Sequence, residues 1–318
     1  FMAVYTEVSQ SDLETLLQDF QLGQLISFKG IDGGIENTNY FVTLQDEDQQ
    51  TREYVLTLFE DLKQEEMPYF VELTTWLAER GCPVPFPFKD SNGIGLKTLH
   101  NRPALLQPRL AGNHVETLTA EHCRQIGAAL GQFHQAGRDF YMQRQAHRGV
   151  FWWRRESQQI ASKLSPDDAQ LLRTEVTLFE QLREQPWNLP LGAIHGDLFH
   201  DNALFQGDQL SAILDIYNAC TGYLLYDLAI VANDWCVNPD GSIDPQREHA
   251  LLTAYGAIRP FEKNEYLAWP QLVRTAAMRF WLSRLIPALD PNSTQKIKDP
   301  EEFRRILLQR IKTPAALP

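Results

Sequence analysis

Apolar residues change their spacing about a third of the way along this chain. Near the start, Leu13, Leu16, Leu17 and Phe20 recur at helical intervals. Ser11 with Glu14 has the form of a capping box, so the first helix is expected to open there. Runs rich in β-branched and aromatic residues follow at 24–29, 39–44 and 53–59, and each reads as a strand. Between the first two lies a glycine-bearing turn at 30–38. A helical stripe over 68–80 ends at Gly81, with Pro83 and Pro85 behind it, and 103–107 reads as a short buried strand.

Beyond that point the pattern becomes that of long helices. Thr119 is placed as an N-cap, and Ile126, Ala129, Leu130 and Phe133 share one face of the helix it opens. Ser165-Pro166 opens another, with proline at the first position, where its missing N–H costs nothing. Short apolar runs at 203–205 and 212–214 flank a turn at Gly207-Asp208 and predict a small hairpin. The expected division is therefore a mixed β lobe, 1–108, and a mostly helical lobe, 109–318.

Charge and composition narrow the function. A formal charge of −12 argues against a nucleic acid or an anionic membrane as partner, since both select a basic face. The four cysteines (Cys82, Cys123, Cys220 and Cys236) are scattered without metal-ligand spacing, as in a protein of a reducing compartment. No basic segment leads into an apolar run at the N-terminus, and no apolar run approaches the ~18 residues of a membrane span. The expectation is a soluble, cytoplasmic protein.

The chemistry concentrates in His195-Gly196-Asp197-Leu198-Phe199-His200-Asp201-Asn202, followed by Leu214-Asp215 at 215 − 202 = 13 positions past the asparagine. Phosphoryl transfer of the kinase type needs such a trio. One carboxylate accepts the hydroxyl proton, here Asp197, while an asparagine and an aspartate, here Asn202 and Asp215, hold Mg²⁺ on the ATP phosphates. The amide oxygen and the carboxylate are hard donors suited to that ion. A lone Gly-Asp is usually only a turn; the joint pattern is far rarer by chance. His195 is expected to brace this turn rather than move protons. Asp227, at the start of a helix in Tyr226-Asp227-Leu228-Ala229, reads as a cap or a carboxylate bracing the loop.

These three elements together resemble the aminoglycoside phosphotransferase and choline kinase superfamily, which shares the protein kinase fold. The segments 34–41, 54–58, 103–107, 231–236 and 278–285 further resemble the homoserine kinases of that superfamily, so the similarity spans nearly the whole chain. The resemblance implies an α+β, bilobal, protein-kinase-like fold, with a small antiparallel N-terminal lobe and a larger helical C-terminal lobe. It implies ATP and Mg²⁺, and transfer to the hydroxyl of L-homoserine to give O-phospho-L-homoserine, a step of threonine biosynthesis. Gly33, Gly34, Asn37 and Thr38 would cover the phosphates, where glycine lets the backbone come close. Gln107, Pro108 and Leu110 would receive adenine, with the Pro108 carbonyl accepting and the Leu110 N–H donating.

One departure stands out: Thr57 occupies the position at which kinases carry a phosphate-binding lysine, and an apolar residue near Phe70 replaces its glutamate partner. Lys29, Lys63 or the Thr57 hydroxyl would then face the phosphates. A homoserine site needs an arginine or backbone donors for the carboxylate and an acidic or aromatic group for the ammonium. The candidates are His200, Tyr217, Asp234, Arg274 and Arg284, with Trp152, Trp153, Arg148, Asn233 and Arg279 behind them. For each arginine the plainer alternative is an ordinary ion pair. Kinases of choline, ethanolamine, methylthioribose or aminoglycosides remain alternatives. So does a nucleotide-binding regulatory module without turnover, which the missing lysine would favour.

Overall fold

The computed structural model describes residues 5–32 and 36–318. The chain divides into two compact units, one ending at Ala111 and the other running from Gly112 to Pro318. Among the described residues, the first unit is built on a five-stranded antiparallel sheet in the order β1-β2-β3-β5-β4. Its strands are β1 (Gln24–Gly30), β2 (Asn37–Gln45), β3 (Thr51–Phe59), β4 (Lys97–Leu99) and β5 (Arg102–Pro108).

Strict alternation along β2, and its pairing with β3, explain the core of this unit. Tyr40, Val42 and Leu44 lie on the same face as Tyr54, Leu56 and Leu58, since Tyr40 pairs with Leu56 and Val42 with Tyr54. That face buries Leu13, Leu17 and Phe20 of the N-terminal segment. The opposite face carries Asn39, Thr57, Leu105 and Gln107, because Asn39 pairs with Thr57, Thr57 with Leu105 and Val55 with Gln107.

The first helix, α1 (Gln10–Leu17), is capped two residues before the expected Ser11, at Ser9. Ser9 accepts from Asp12 N at 3.1 Å and Asp12 Oδ2 accepts from Ser9 N at 3.0 Å, so Ser9 and Asp12 form the capping box. Ser11 and Glu14 fit the same sequence pattern, but capping at Ser9 sets Val8 just ahead of the cap and Leu13 in the first turn. Both are buried in the core, the arrangement of a hydrophobic staple, and that decides between the two caps. The second helix, α2, covers Met67–Glu79.

In the second unit the described helices are α3 (Ala120–Gly137), α4 (Val150–Ile160), α5 (Pro166–Glu184), α6 (Leu224–Trp235), α7 (Pro245–Ile258), α8 (Lys263–Leu289) and α9 (Pro300–Lys312). Thr119 and Ser165 cap α3 and α5, each accepting from the backbone N–H three residues on. Two small antiparallel pairs complete it: β6 (Leu191–Ile194) with β9 (Cys220–Tyr223), and β7 (Ala203–Gln206) with β8 (Gln209–Ile213). Helix α3 lies close against α7: a Cβ on Gly127 would sit 2.4 Å from the Leu251 carbonyl oxygen.

Helix α6 is buried almost all round, which marks it as the central helix of this unit. It begins directly after β9, and β9 pairs with β6 so that Ile194 faces Cys220. The chain leaves β6 at His195, and the start of α6 is thereby set beside the loop that follows. No described helix is long and apolar enough to cross a membrane.

Candidate active site

Loop 195–202 leaves the end of β6 and is tied down chiefly by α6. Asp227, in the first turn of that helix and fully buried, accepts from His195 N through Oδ2 and from Gly196 N through Oδ1, both at 2.9 Å. The loop can turn here because residue 196 is glycine. Its φ is +82°, and a Cβ would meet the Asn218 carbonyl oxygen at 2.8 Å.

Seven residues further on, two helical turns and thus on the same face, Asp234 accepts from both the backbone N–H and Nδ1 of His200, each at 2.7 Å. Trp235 Nε1 donates to the Leu198 carbonyl at 3.0 Å. One helix thus holds the beginning, middle and end of the loop. His200 gains a proton-holding partner in Asp234, and its pKa is raised accordingly, burial opposing.

His195 fixes the base candidate and couples it to the second acidic position. Its Nδ1 accepts from Asp197 N at 3.1 Å, which leaves Nε2–H to donate to the Leu214 carbonyl at 2.8 Å. Burial pushes its pKa down, so the ring is the neutral brace this pattern requires. Asn202 Nδ2 donates to the Asp197 carbonyl at 2.8 Å, which leaves its amide oxygen as the donor atom for a cation. Leu214 N donates to the Asn202 carbonyl at 2.8 Å, and Ala203 pairs with Ile213 in the hairpin between them.

The spacing of 13 is therefore that of a hairpin whose open end brings residue 202 beside 214 and 215. Asp215 sits at φ 57°, ψ 59°, a left-handed conformation that few non-glycine residues adopt, asparagine and aspartate more readily than most. Among the described residues no three His, Cys, Asp or Glu side chains gather into a metal site. Mg²⁺ in a kinase needs no such cage. One amide oxygen and one carboxylate suffice when phosphates and water fill the other positions, and Asn202 with Asp215 fits that donor set.

Behind the loop runs a buried chain of donors with no sequence signal. Arg259 Nε donates to Tyr255 Oη at 2.7 Å, Tyr255 meets His134 Nδ1 at 2.6 Å, and His134 Nε2 meets Asp227 Oδ2 at 2.8 Å. Glu265 anchors the far end through paired contacts to Arg259 at 3.0 and 2.6 Å. Burial pushes the Asp227 pKa up, but the His134 hydrogen bond and the surrounding donors outweigh it and hold it below the ordinary value. The two links through His134 join residues 121 and 93 apart in sequence, so no local pattern announces the chain.

The expected substrate residues separate into two groups. His200 and Asp234 pair with each other, and Tyr217 lies half-buried in the turn directly after Asp215. Arg274 instead pairs with the fully buried Glu175 of α5, and Arg284 with Glu302 of α9 at 2.7 Å, so both are committed to helix packing.

In the first unit Gly33 and Gly34 lie outside the described residues. Asn37 is half-buried, but the side chain of Thr38 turns into the unit. Its hydroxyl donates to Glu60 Oε1 at 2.6 Å and accepts from Tyr5 N and Thr6 N. Glu60 also pairs with Arg102. Thr57, 3% exposed, donates through Oγ1 to Asn39 Oδ1 at 2.7 Å, on the face shared with the buried Gln107. Pro108 pairs with Tyr54 at the end of β5, and Leu110 follows it half-buried. Lys29 and Lys63 are exposed.

Comparison with known proteins agrees with this arrangement. Residues 27–261 match the phosphotransferase enzyme family. The homoserine kinase of Pseudomonas aeruginosa (strain LESB58) is 42% identical over 318 residues, covering 100% of this chain and 99% of the relative. That of Methylobacillus flagellatus is 42% identical over 312 residues, covering 98% and 96%. Among solved structures, an amicoumacin kinase in complex with AMP-PNP and Ca²⁺ superposes with a TM-score of 0.72. It covers 97% of this chain and 95% of its own at 14% identity, a likeness that establishes the bilobal kinase-like fold alone. The chain belongs to the homoserine kinases of the phosphotransferase enzyme family, and with that membership goes the use of ATP as phosphoryl donor.

Proposed function

We propose that this protein transfers the γ-phosphoryl group of ATP to the side-chain hydroxyl of L-homoserine, with Asp197 as the base and Asn202 and Asp215 as the ligands of Mg²⁺. The observation that carries the reading is the joint fixing of these three residues. His195 holds Asp197 N and the Leu214 carbonyl at once, and the Asn202 side chain is latched to the Asp197 carbonyl. Positioning and charge neutralisation supply most of the acceleration in such transfers, and a loop held this way is already positioned.

The Asp197 carboxylate orients the homoserine hydroxyl and accepts its proton as that oxygen bonds to the γ-phosphorus. The bond from the γ-phosphorus to the bridging oxygen breaks, and ADP leaves with the electron pair. When bound, Mg²⁺ neutralises phosphate charge and aligns the transferring group. His195 stays neutral and holds the Asp197 backbone. Tyr217, in the turn after Asp215, and His200 with its partner Asp234 border the acceptor. Asn37, Thr38, Thr57, Gln107, Pro108 and Leu110 serve the nucleotide, and where Thr38 is concerned its backbone does so, since its hydroxyl is engaged by Glu60. We divide these tasks at the junction near Pro108, with the nucleotide held by the unit before it and catalysis carried by the unit after it. The four cysteines are free and buried, which supports a reducing compartment, the cytoplasm.

The test is Mg²⁺-dependent ADP release with L-homoserine, choline, ethanolamine, methylthioribose and an aminoglycoside as acceptors. Turnover is expected with L-homoserine, and Asp197→Ala should lower kcat about 10²–10⁴-fold while ATP still binds. Near-normal turnover in that variant would remove Asp197 from the role of base. Turnover on a different acceptor alone would displace homoserine.

A further inference from the structure

Arg279 lies on the side of α8 turned inward. It is 5% exposed, and its Nη1 donates to Ser283 Oγ one turn further on. Its guanidinium carbon is 4.4 Å from the centroid of the Phe280 ring and 5.9 Å from that of Trp152 on α4. Phe280 in turn meets Phe199, two residues past Asp197, edge-on with centroids 4.7 Å apart. Trp153 of α4 lies 6.1 Å from Tyr226 of α6. Three helices thereby bring a guanidinium, two indoles and a phenol to the flank of the loop that carries the base.

A second arginine approaches from the strand side. Arg144 N donates to Thr221 Oγ1 at 3.1 Å, and its carbonyl accepts from Thr221 N at 2.8 Å. That sets Arg144 next to Cys220, the partner of Ile194 where the loop begins. The positive charges of Arg144 and Arg279 both reach the Cys220 thiol, whose pKa burial pushes up to about 12. Burial likewise drives the Tyr226 phenol up, and that phenol lies within Coulombic reach of Arg279 and of Asp197. A cation and the base candidate therefore share one neighbour, with aromatic walls between α4, α6 and α8.

A guanidinium meets a carboxylate with two parallel N–H groups, and stacking on aromatic rings holds its plane. Arg274 and Arg284 pair with Glu175 and Glu302 in helix packing, whereas Arg279 lies among these aromatic walls. We propose that Arg279, assisted by Arg144, binds the α-carboxylate of the amino-acid substrate and so selects an amino alcohol bearing a carboxylate over a simple amino alcohol. This rests on the homoserine reading above and names the group in that site that confers specificity.

The experiment compares kcat/KM for L-homoserine, its amide, and 3-amino-1-propanol, which keeps the hydroxyl and ammonium but lacks the carboxylate. The wild-type enzyme should favour homoserine over both by about 10- to 100-fold, the worth of charge-assisted hydrogen bonds. In Arg279→Gln that preference should collapse: homoserine loses about 10- to 100-fold, mainly through KM, while 3-amino-1-propanol changes little. Arg279→Lys should regain part of the loss, and Arg144→Gln should show a weaker form of it.

Equal losses on acid and amino alcohol in Arg279→Gln mean a structural arginine and overturn the proposal. So does a wild-type enzyme that phosphorylates the amide as well as the acid, a result that needs no variant to fold. Turnover of homoserine without discrimination sinks the carboxylate site alone; no turnover of homoserine by the wild-type enzyme sinks the substrate reading and this site together.

Discussion

Loop 195–202 and the paired strands β2 and β3 both hold polar side chains among apolar ones, and they do it by different means. In the loop the anchors are carboxylates distant in sequence. Two carboxylates on α6, Asp227 and Asp234, take the N–H groups of His195, Gly196 and His200. In the strands the anchors are neutral and adjacent in the ladder, as where Thr57 donates to Asn39 directly opposite it. Charge appears there toward the two ends of β3, where Glu53 pairs with Arg109 and, just past the strand, Glu60 with Arg102 and Thr38. Buried carboxylates give stronger, better-directed hydrogen bonds but cost far more when a partner is lost. The loop is therefore rigid and fragile; the strands are more tolerant.

The largest effect should come from cutting the loop's main anchor. Asp227→Ala leaves two backbone N–H groups and His134 Nε2–H buried without an acceptor, a loss of about 3–5 kcal/mol by the measure of broken buried pairs. Denaturant unfolding should show that loss, and turnover should fall with it. Asp227→Asn keeps one acceptor and should fall between. If Asp227→Ala unfolds at the wild-type midpoint, the loop is not held as described. The corresponding change in the strands, Thr57→Val, removes one neutral hydrogen bond and should cost about 1 kcal/mol. Its functional effect should appear as a raised KM for ATP, by about tenfold if the hydroxyl serves the phosphates where a lysine is absent. An unchanged KM would move that duty to another residue.

The same contrast explains what the sequence discloses. The spacing of Asp197, Asn202 and Asp215 is legible because a hairpin of fixed length sets it, and the runs at 24–29, 39–44 and 53–59 mark three of the strands. His195 and Asp227 were legible as braces because they sit within or near that motif. The chain Arg259–Tyr255–His134–Asp227 was not, since tertiary packing alone brings α3, α6 and α7 together. The misplaced cap at Ser11 has a local cause. Two overlapping Ser-x-x-acid patterns compete, and the burial of Val8, invisible to the cap pattern, selects the first. Arg274 and Arg284 looked like substrate ligands because α8 mixes charged and aromatic residues. Their partners, Glu175 and Glu302, lie on α5 and α9, and only the fold pairs them.

The smallest effect, and the sharpest on the comparison, is on pH. His134 and His195 are fully buried, and burial lowers the pKa of each below the ordinary 6.5. Between their folded and unfolded values the unfolded chain binds more protons, so stability is present above 6.5 and lost as pH falls through the folded values. His200, raised by Asp234, acts oppositely: its contribution is present below 6.5 and lost as pH rises through its folded value. The two windows do not overlap: below 6.5 the His200 contribution is constant, so there the loop loses stability toward acid. Beside the strands, the carboxylate whose pKa shifts is Glu60. Burial raises its pKa, but hydrogen bonds from Thr38, Thr6 and Arg102 bring it below 4.5, and its stability is lost only as pH falls beneath that. Amide exchange, corrected for the intrinsic pH dependence, should show β6 and the start of α6 losing protection as pH falls below 6.5. Amides of β2 and β3 should hold until below 4.5. Simultaneous loss in both regions would mean that the two kinds of anchoring do not set separate stabilities, and the contrast between a charged loop and a neutral ladder would fail.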